Sequence, residues 1–145
     1  MNNEDNRKIL LVEDDDNHAE IIEFYIKENS SEFDVTRLSD GHEALEYFKN
    51  ITKYPWLIIL DLKIPKHDGH EILEYIKNDK KLKRVPVVIF TTSNSNKDIA
   101  KAIDAGANSY LVKPTDPEKF LNNIGAMLSF WKLNQHEYIT NGETV

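Results

Sequence analysis

Five short apolar segments alternate along this chain with longer segments in which apolar residues recur every three or four positions. Three of the five short segments are almost entirely apolar, as is typical of parallel strands that are covered on both faces. The longer segments have the spacing of helices that bury one face. We therefore predict a helix after each of five strands, which lie at residues 8–13, 33–38, 56–61, 85–91 and 109–113.

This order of elements predicts an α/β fold. Parallel strands need crossover connections, and these connections are right-handed. The expected architecture is a doubly wound, five-stranded parallel sheet with helices on both faces and a flavodoxin-like topology. Four capping pairs, in which a polar residue precedes an acid by three positions, mark predicted helix starts. They are Asp40 with Glu43, Asp68 with Glu71, Ser95 with Asp98, and Thr115 with Glu118.

Composition and charge exclude several classes of protein. The formal net charge of −7 argues against general nucleic-acid binding, because a phosphate backbone attracts basic surfaces. No apolar run approaches the roughly 18 residues of a membrane span, and the polar start lacks the apolar segment of a signal peptide. With no cysteine, the chain has neither a disulfide framework nor a thiolate metal site. We expect a cytoplasmic protein of one domain that binds neither DNA nor a membrane.

Chemically active residues follow four of the five predicted strands. The first strand ends in Glu13 and Asp14, and the third ends in Asp61. Thr91 ends the fourth strand and Lys113 ends the fifth. Because ligands bind beyond the carboxyl ends of the strands in open α/β sheets, we expect these side chains to converge. The sequence therefore predicts one site that is built from three carboxylates, a hydroxyl and an ammonium group.

This set of groups suits phosphoryl transfer. A cluster of carboxylate oxygens is a ligand set that Mg²⁺ prefers, and an aspartate beside the ion can attack phosphorus. The transferring group carries charge on its equatorial oxygens, so the protein has mainly to position and neutralise them. Lys113 can pair with one of these oxygens and Thr91 can donate a hydrogen bond to another. We therefore predict Mg²⁺-dependent phosphoryl transfer to an aspartate of this site.

Four segments carry a resemblance to a known family. The segments "LLVEDD", "DLKIPKHDG", "VVIFTTS" and "YLVKP" resemble, in order and spacing, the receiver domain of two-component response regulators. The resemblance implies that residues 8–134 form one receiver domain. Residues 1–7 are then a polar N-terminal segment, and residues 135–145 are a polar C-terminal tail.

The resemblance assigns a role to each matching residue. It implies that Asp61 is the phosphoacceptor and one ligand of the Mg²⁺ cofactor. Glu13, Asp14 and the backbone carbonyl of Lys63 are implied as the other metal ligands. At the same positions, family members use these groups to hold the ion beside the acceptor.

Further residues match the switch of the family. Thr91 matches the switch hydroxyl, Tyr110 the aromatic switch position, and Lys113 the conserved-type lysine of the site. Pro114 matches a proline whose preceding peptide bond is typically cis. Phosphorylation is then expected to shift Thr91 and Tyr110, and so to change the surface formed by the fourth helix, fifth strand and fifth helix.

The resemblance also implies partners. A sensor histidine kinase or a phosphotransfer protein is the expected phosphodonor, and a downstream protein is expected to bind the changed surface. Too few residues follow Lys113 for a DNA-binding or enzymatic domain, so we expect a stand-alone receiver. Such a protein is not an enzyme, although it assists its own phosphoryl transfer and autodephosphorylation.

The predicted last helix, at about 116–134, is apolar over more than one face. Its core stripe consists of Phe120, Ile124, Met127, Leu128 and Trp131. Three further apolar residues extend past that stripe, namely Leu121, Phe130 and Leu133. Because a helix that is apolar beyond its core face often covers a partner, we predict a homodimer through this helix face. In this respect the chain is similar to the small single-domain regulators that work with phytochrome-type histidine kinases.

Three residues near the acceptor depart from the commonest family pattern. Lys63 and Ser93 occupy positions that flank the incoming water in family members, so we hypothesise that Lys63 alters autodephosphorylation. Thr92 stands where small residues are common, and we expect it to crowd the route of phosphodonors. The histidines show no metal-ligand pairing on one helix face and are predicted at the surface. They are His18, His42, His67, His70 and His136.

Three alternative functions compete with this interpretation. A phosphatase of the haloacid-dehalogenase type combines similar groups, but it places the nucleophilic strand first and a second aspartate where this chain has Lys63. A flavodoxin-like nucleotide binder would need Gly, Ser or Thr, rather than acids, in its first loop. A receiver-like docking module that is not controlled by phosphorylation is the third.

Overall fold

The computed structural model describes residues 7–136, which form a five-stranded sheet with helices on both faces. All four neighbouring strand pairs are parallel, and the strand order is β2-β1-β3-β4-β5. The doubly wound, flavodoxin-like architecture expected from the sequence is therefore confirmed. The strands are β1 (Arg7–Val12), β2 (Phe33–Leu38), β3 (Leu57–Leu60), β4 (Val87–Thr91) and β5 (Ser109–Val112).

Five α-helices cover the two faces of the sheet. One hydrophobic cluster joins the sheet to the first and last helices, and a second cluster joins it to the three helices between them. A single turn of 3₁₀ helix at Leu82–Arg84 precedes β4. The helices are α1 (Asp16–Asn29), α2 (Gly41–Lys49), α3 (Gly69–Asn78), α4 (Asn96–Asp104) and α5 (Pro117–Leu133).

The apolar runs in the sequence reflect burial on both faces. Ile9 and Leu11 of β1 pack with α1 and α5, whereas Leu10 and Val12 pack with the other three helices. Successive side chains of a strand point to opposite faces, so both sets must be apolar when helices cover both faces.

Three of the four predicted capping residues are confirmed. The side chains of Asp40, Asp68 and Ser95 accept hydrogen bonds from the backbone N–H groups three residues later. The fourth prediction is wrong by one residue. Asp116, not Thr115, caps α5 by accepting from the Lys119 N–H at 3.0 Å. Pro117 then occupies the first helical position, where a missing N–H costs nothing.

Gly69 fixes the close approach of α3 to the end of β3. A Cβ atom at this position would collide with the backbone of Asp61 and Leu62. The Gly69 N–H donates to the Leu62 carbonyl at 3.0 Å. Only glycine allows the helix start to pass so near the end of β3.

The predicted core stripe of α5 is confirmed, because all five of its residues are buried. Phe130 and Leu133, on the same helix, are exposed. No helix among residues 7–136 is long and apolar enough to cross a membrane.

The predicted surface position is wrong for two histidines. His70 and His136 are 8% and 4% exposed. The His136 ring stacks on the Trp56 ring, with 5.1 Å between the ring centroids, and its Nε2 lies 2.8 Å from the Trp56 carbonyl oxygen. Apart from residue 7 and residues 135–136, the predicted terminal segments lie outside the described residues, and the boundaries at 8 and 134 remain predictions.

Candidate functional site

The site lies at the carboxyl ends of the strands. The Asp61 N–H donates to the Val12 carbonyl at 3.0 Å, and the Lys113 N–H donates to the Thr91 carbonyl at 2.7 Å. The backbone pairing therefore continues one residue beyond the strands. It fixes the two residues of opposite charge at one edge of the sheet.

Three carboxylates meet at this edge. Glu13, Asp14 and Asp61 each offer an oxygen, and these oxygens all lie within 4.8 Å of one another. Glu13 and Asp61 are buried, whereas Asp14 is exposed. The cluster therefore opens to solvent on the side of Asp14.

Lys113 supplies the positive charge that this cluster needs. Its ammonium donates to Asp61 Oδ2 at 2.8 Å and to Glu13 Oε1. The Lys113 side chain is only 2% exposed. A buried ammonium offsets the repulsion between two buried carboxylates and is itself stabilised by them.

The two buried acids differ in their affinity for protons. Burial, followed by the nearby charge of Asp61, raises the pKa of Glu13 to about 7. Burial opposes ionisation of Asp61 too, but the hydrogen bond and charge of Lys113 hold the pKa of Asp61 below its usual value. Burial lowers the pKa of Lys113, yet its two acid partners raise that pKa overall. Asp61 is therefore an ionised carboxylate beside a permanent cation.

Thr91 and Tyr110 both contact Ser93, in the loop between β4 and α4. The Ser93 N–H points to the Thr91 hydroxyl oxygen at 3.4 Å. The Tyr110 hydroxyl donates to the Ser93 carbonyl at 2.9 Å, and burial raises the pKa of Tyr110. A change at Thr91 can therefore reach Tyr110 through one residue of this loop.

The backbone of Lys63 contacts Asp61, whereas its side chain contacts Asp98. Its N–H donates to Asp61 Oδ1 at 3.1 Å. Its ammonium is exposed and lies 4.0 Å from Asp98 Oδ2, which also accepts from the Ser93 hydroxyl at 2.5 Å. His70 Nε2 lies 3.2 Å from the other Asp98 oxygen. Sequence analysis missed this role of Asp98, because its spacing from Ser95 marked it only as a capping partner.

Arg37 was missed as well. Its guanidinium donates to the backbone carbonyls of Glu13 and Asp14 at 3.0 and 3.2 Å, and it pairs with Asp16 at 2.8 Å. These contacts brace the acidic loop from β2. No local sequence pattern links Arg37 to residues more than twenty positions away.

One feature that the family resemblance implied is not observed. No peptide bond among residues 7–136 is cis, so the bond between Lys113 and Pro114 is trans. The trans form is the more stable one for an X–Pro bond unless surrounding contacts select the other.

The donor set fits a hard divalent cation. All three side chains offer carboxylate oxygens, and Asp14 is exposed, so water can supply further ligands to an ion. No thiolate or imidazole belongs to the set, so softer metals have no preferred ligand there. The participation of the Lys63 carbonyl remains a prediction.

The comparisons with known proteins identify the family. The model of the response regulator receiver domain matches residues 9–125 of this chain. The chain belongs to the response regulator receiver family. Receiver domains of this family act in two-component signalling, so the dehalogenase-type phosphatase and the nucleotide binder no longer compete.

Two relatives match over most of their own lengths. The probable methanogenesis regulatory protein FilR2 of Methanothrix harundinacea is 36% identical over 85% of this chain and 82% of its own. The response regulator Rcp1 of Synechocystis sp. is 33% identical over 90% of this chain and 94% of its own.

Solved structures agree. The Mn²⁺-bound form of Rcp1 superposes with a TM-score of 0.83 at 31% identity, covering 89% of this chain and 96% of that one. The phosphorylated cyanobacterial phytochrome response regulator RcpA superposes with a TM-score of 0.82 at 34% identity, covering 88% of this chain and 95% of that one.

Proposed function

We propose that this protein is a phosphoacceptor response regulator that receives a phosphoryl group on Asp61 from a sensor histidine kinase or a phosphotransfer protein. The observation that carries the proposal is the buried pair of Asp61 and Lys113 beside the carboxylates of Glu13 and Asp14. It combines an ionised nucleophile, a fixed cation and a metal ligand set at the open end of the sheet.

The proposed cofactor is Mg²⁺, held by Glu13, Asp14, Asp61 and the Lys63 carbonyl. When bound, the ion would neutralise the carboxylates and screen the charge of the incoming phosphoryl oxygens. The Mn²⁺-bound form of Rcp1 supports a divalent cation in a chain of this family.

The proposed reaction transfers a phosphoryl group from a phosphohistidine of the donor to Asp61. A carboxylate oxygen of Asp61 attacks phosphorus, the bond from phosphorus to the donor's imidazole nitrogen breaks, and that nitrogen keeps the electron pair. Lys113 neutralises one phosphoryl oxygen, and the Thr91 hydroxyl donates to another. The product is an aspartyl phosphate, which water later hydrolyses to restore Asp61. The phosphorylated state of RcpA supports this chemistry.

The proposed signal passes through the loop after β4. If the Thr91 hydroxyl turns to the phosphoryl group, its contact with the Ser93 N–H is lost. Because Tyr110 bonds the Ser93 carbonyl, the loop and β5 then change their packing together. A downstream partner that binds one packing better would respond to phosphorylation.

The proposed output face includes a homodimer contact on α5. Phe130 and Leu133 are 59% and 81% exposed, and because they lie three positions apart they are neighbours on one helix face. Phe130 lines a groove of about 300 Å³ together with Leu111, Met127 and Trp131, among others. A second copy that places its own α5 there would cover this apolar surface.

The proposed donor face lies on α1. Ile21 and Phe24 are exposed apolar residues of this helix. Ile21 also lines a cavity of about 490 Å³ that reaches Lys113. A donor protein that covers this surface would bring its phosphohistidine to the open side of the site.

We also propose a cytoplasmic location, because sensor histidine kinases use ATP to form their phosphohistidine.

Intact-protein mass after incubation with acetyl phosphate tests the proposal. We expect a gain of one phosphoryl group in the presence of Mg²⁺, no gain with a chelator, and no gain in Asp61→Asn. Asp34→Asn is the matched control, because Asp34 is an exposed aspartate on β2, outside the site. No gain in the unmodified protein, together with no binding of beryllofluoride, would favour a docking module that is not controlled by phosphorylation.

A further inference from the structure

His18 contacts the catalytic lysine from the first turns of α1. The Lys113 ammonium lies 3.0 Å from His18 Nδ1, in addition to its bonds to Glu13 and Asp61. An ammonium group has three donors. The three contacts therefore use every donor of this buried cation.

The chemistry of lysine fixes the state of the imidazole. Because an ammonium group has no acceptor, His18 Nδ1 must accept this hydrogen bond and cannot carry a proton. This contact therefore selects the tautomer that carries its proton on Nε2. Asp15 Oδ2 lies 3.9 Å from the same nitrogen, which is too far for a competing hydrogen bond.

Two other contacts hold the imidazole in place. The backbone N–H of His18 donates to Oδ1 of the capping residue Asp15 at 3.0 Å, which fixes the backbone at the helix start. The ring centroid lies 5.4 Å from that of Phe120 on α5. The acceptor nitrogen is therefore oriented by both helices that cover this face.

His18 differs from the other two acceptors of Lys113 in one respect. Glu13 and Asp61 belong to the proposed metal ligand set, whereas His18 does not. Oxygens that bind a divalent cation are poorer acceptors for a neighbouring ammonium, because the two cations repel each other. His18 is the acceptor whose bond to Lys113 does not compete with the metal.

We propose that His18 is a positioning residue, which tethers the Lys113 ammonium so that it stays aligned with the incoming phosphoryl group when Glu13 and Asp61 bind the cation. This inference rests on the proposed function of Asp61. It adds a residue that is outside the acidic cluster, the switch pair and the metal ligand set.

A pair of substitutions separates the hydrogen bond from the packing. His18→Phe keeps a ring against Phe120 and removes the acceptor. His18→Asn removes the ring and keeps an acceptor two bonds beyond Cβ, as Nδ1 is. We expect the initial rate of phosphorylation by acetyl phosphate to fall by about tenfold in His18→Phe, as for a lost hydrogen bond to a charged group, and to recover largely in His18→Asn. Mg²⁺ affinity should change little in either variant.

Equal rates in the two variants, whether both normal or both slow, would overturn the proposal. A slower rate in His18→Asn than in His18→Phe would overturn it as well, because packing would then matter more than the acceptor. Thermal unfolding of both variants shows whether each is folded at the assay temperature.

A second measurement needs neither metal nor phosphoryl group. The ¹⁵N resonances of the histidine rings in the metal-free protein report which ring nitrogen is protonated. We expect His18 Nδ1 to be unprotonated and its resonance to move in Lys113→Met, while the resonances of His42 stay fixed. A protonated Nδ1, or a resonance that does not move in Lys113→Met, would overturn the proposed contact between His18 and Lys113 even if Asp61 is phosphorylated. If Asp61 is never phosphorylated but this resonance responds, the contact stands and the proposed function fails.

Discussion

The Lys113 ammonium and the Asp61 carboxylate form a buried ion pair at 2.8 Å, although 52 positions separate them in the sequence. The pair joins the ends of β3 and β5 across β4, which lies between them in the sheet. Glu13 shares the same ammonium from the end of β1. The charge balance of the site therefore depends on one lysine.

Replacing Lys113 by methionine should destabilise the metal-free protein at pH 8 by about 3 kcal/mol, because two buried carboxylates lose their cation. Urea denaturation measures the loss. Mg²⁺ should restore part of it, since the ion binds the same carboxylates. Lys132→Met is the control. Lys132 pairs with Glu32 at the surface, where such pairs contribute under about 1 kcal/mol. Equal losses in the two variants would contradict the proposed charge balance.

Mg²⁺ affinity should fall at acidic pH. The pKa of Glu13 is about 7 in the folded protein and 4.5 in its ordinary state, so a proton occupies this ligand below about pH 7. For stability, the favourable contribution of this proton is present below pH 4.5 and is lost as the pH rises to about 7. For metal binding the sign is opposite, because Mg²⁺ must displace the proton.

Calorimetric titration should therefore show an affinity that falls by up to about tenfold per pH unit below 7 and levels off above it. Buffers of different ionisation enthalpy should reveal proton release on binding at pH 6 and almost none at pH 8. An affinity that is constant from pH 6 to 8 would contradict Glu13 as a protonated ligand.

Lys63→Ala should shorten the life of the phosphorylated state by several-fold. In family members the side chain at this position flanks the water that attacks the phosphoryl group. We expect the long Lys63 side chain, whose ammonium lies 4.0 Å from Asp98 Oδ2, to restrict that water, and alanine to admit it. Loss of the phosphoryl mass after removal of acetyl phosphate measures the rate. Lys66→Ala is the matched control, because Lys66 lies in the same loop but pairs with Asp40. An unchanged rate in Lys63→Ala would defeat the hypothesis.

Phe130→Ser should weaken self-association. It removes an exposed apolar ring from the α5 face, whereas Phe24→Ser removes a similarly exposed ring from α1. Sedimentation equilibrium with and without beryllofluoride measures the dissociation constant of the dimer. We expect a weaker dimer only in Phe130→Ser. A monomer at every concentration of the unmodified protein would rule out the homodimer.

Local patterns explain what could be predicted from the sequence. Helical spacing identified the buried stripe of α5, and apolar runs identified strands covered on both faces. The parallel arrangement of the strands followed from the alternation of strands and helices, and it gathers residues such as Asp61 and Lys113 at one end of the sheet. These inferences needed only periodicity and general rules of chain connection.

Long-range contacts explain what could not be predicted. The bonds from His18 to Lys113 and from His70 to Asp98 join residues 95 and 28 positions apart. No spacing rule indicates such pairs, because tertiary packing alone brings the groups together. The prediction of the residue that caps α5 was wrong for a local reason. Thr115 and Asp116 are both good caps, and the choice depended on where Pro117 starts the helix.

Chemical location of the phosphoryl group tests the central claim most directly. Borohydride reduces an aspartyl phosphate to homoserine, so the protein would be treated with acetyl phosphate and Mg²⁺, reduced, digested and sequenced by mass spectrometry. We expect homoserine at position 61 and at no other aspartate. Homoserine at Asp14 or elsewhere, or a phosphoryl group that borohydride does not convert, would contradict the assignment of Asp61 as the phosphoacceptor.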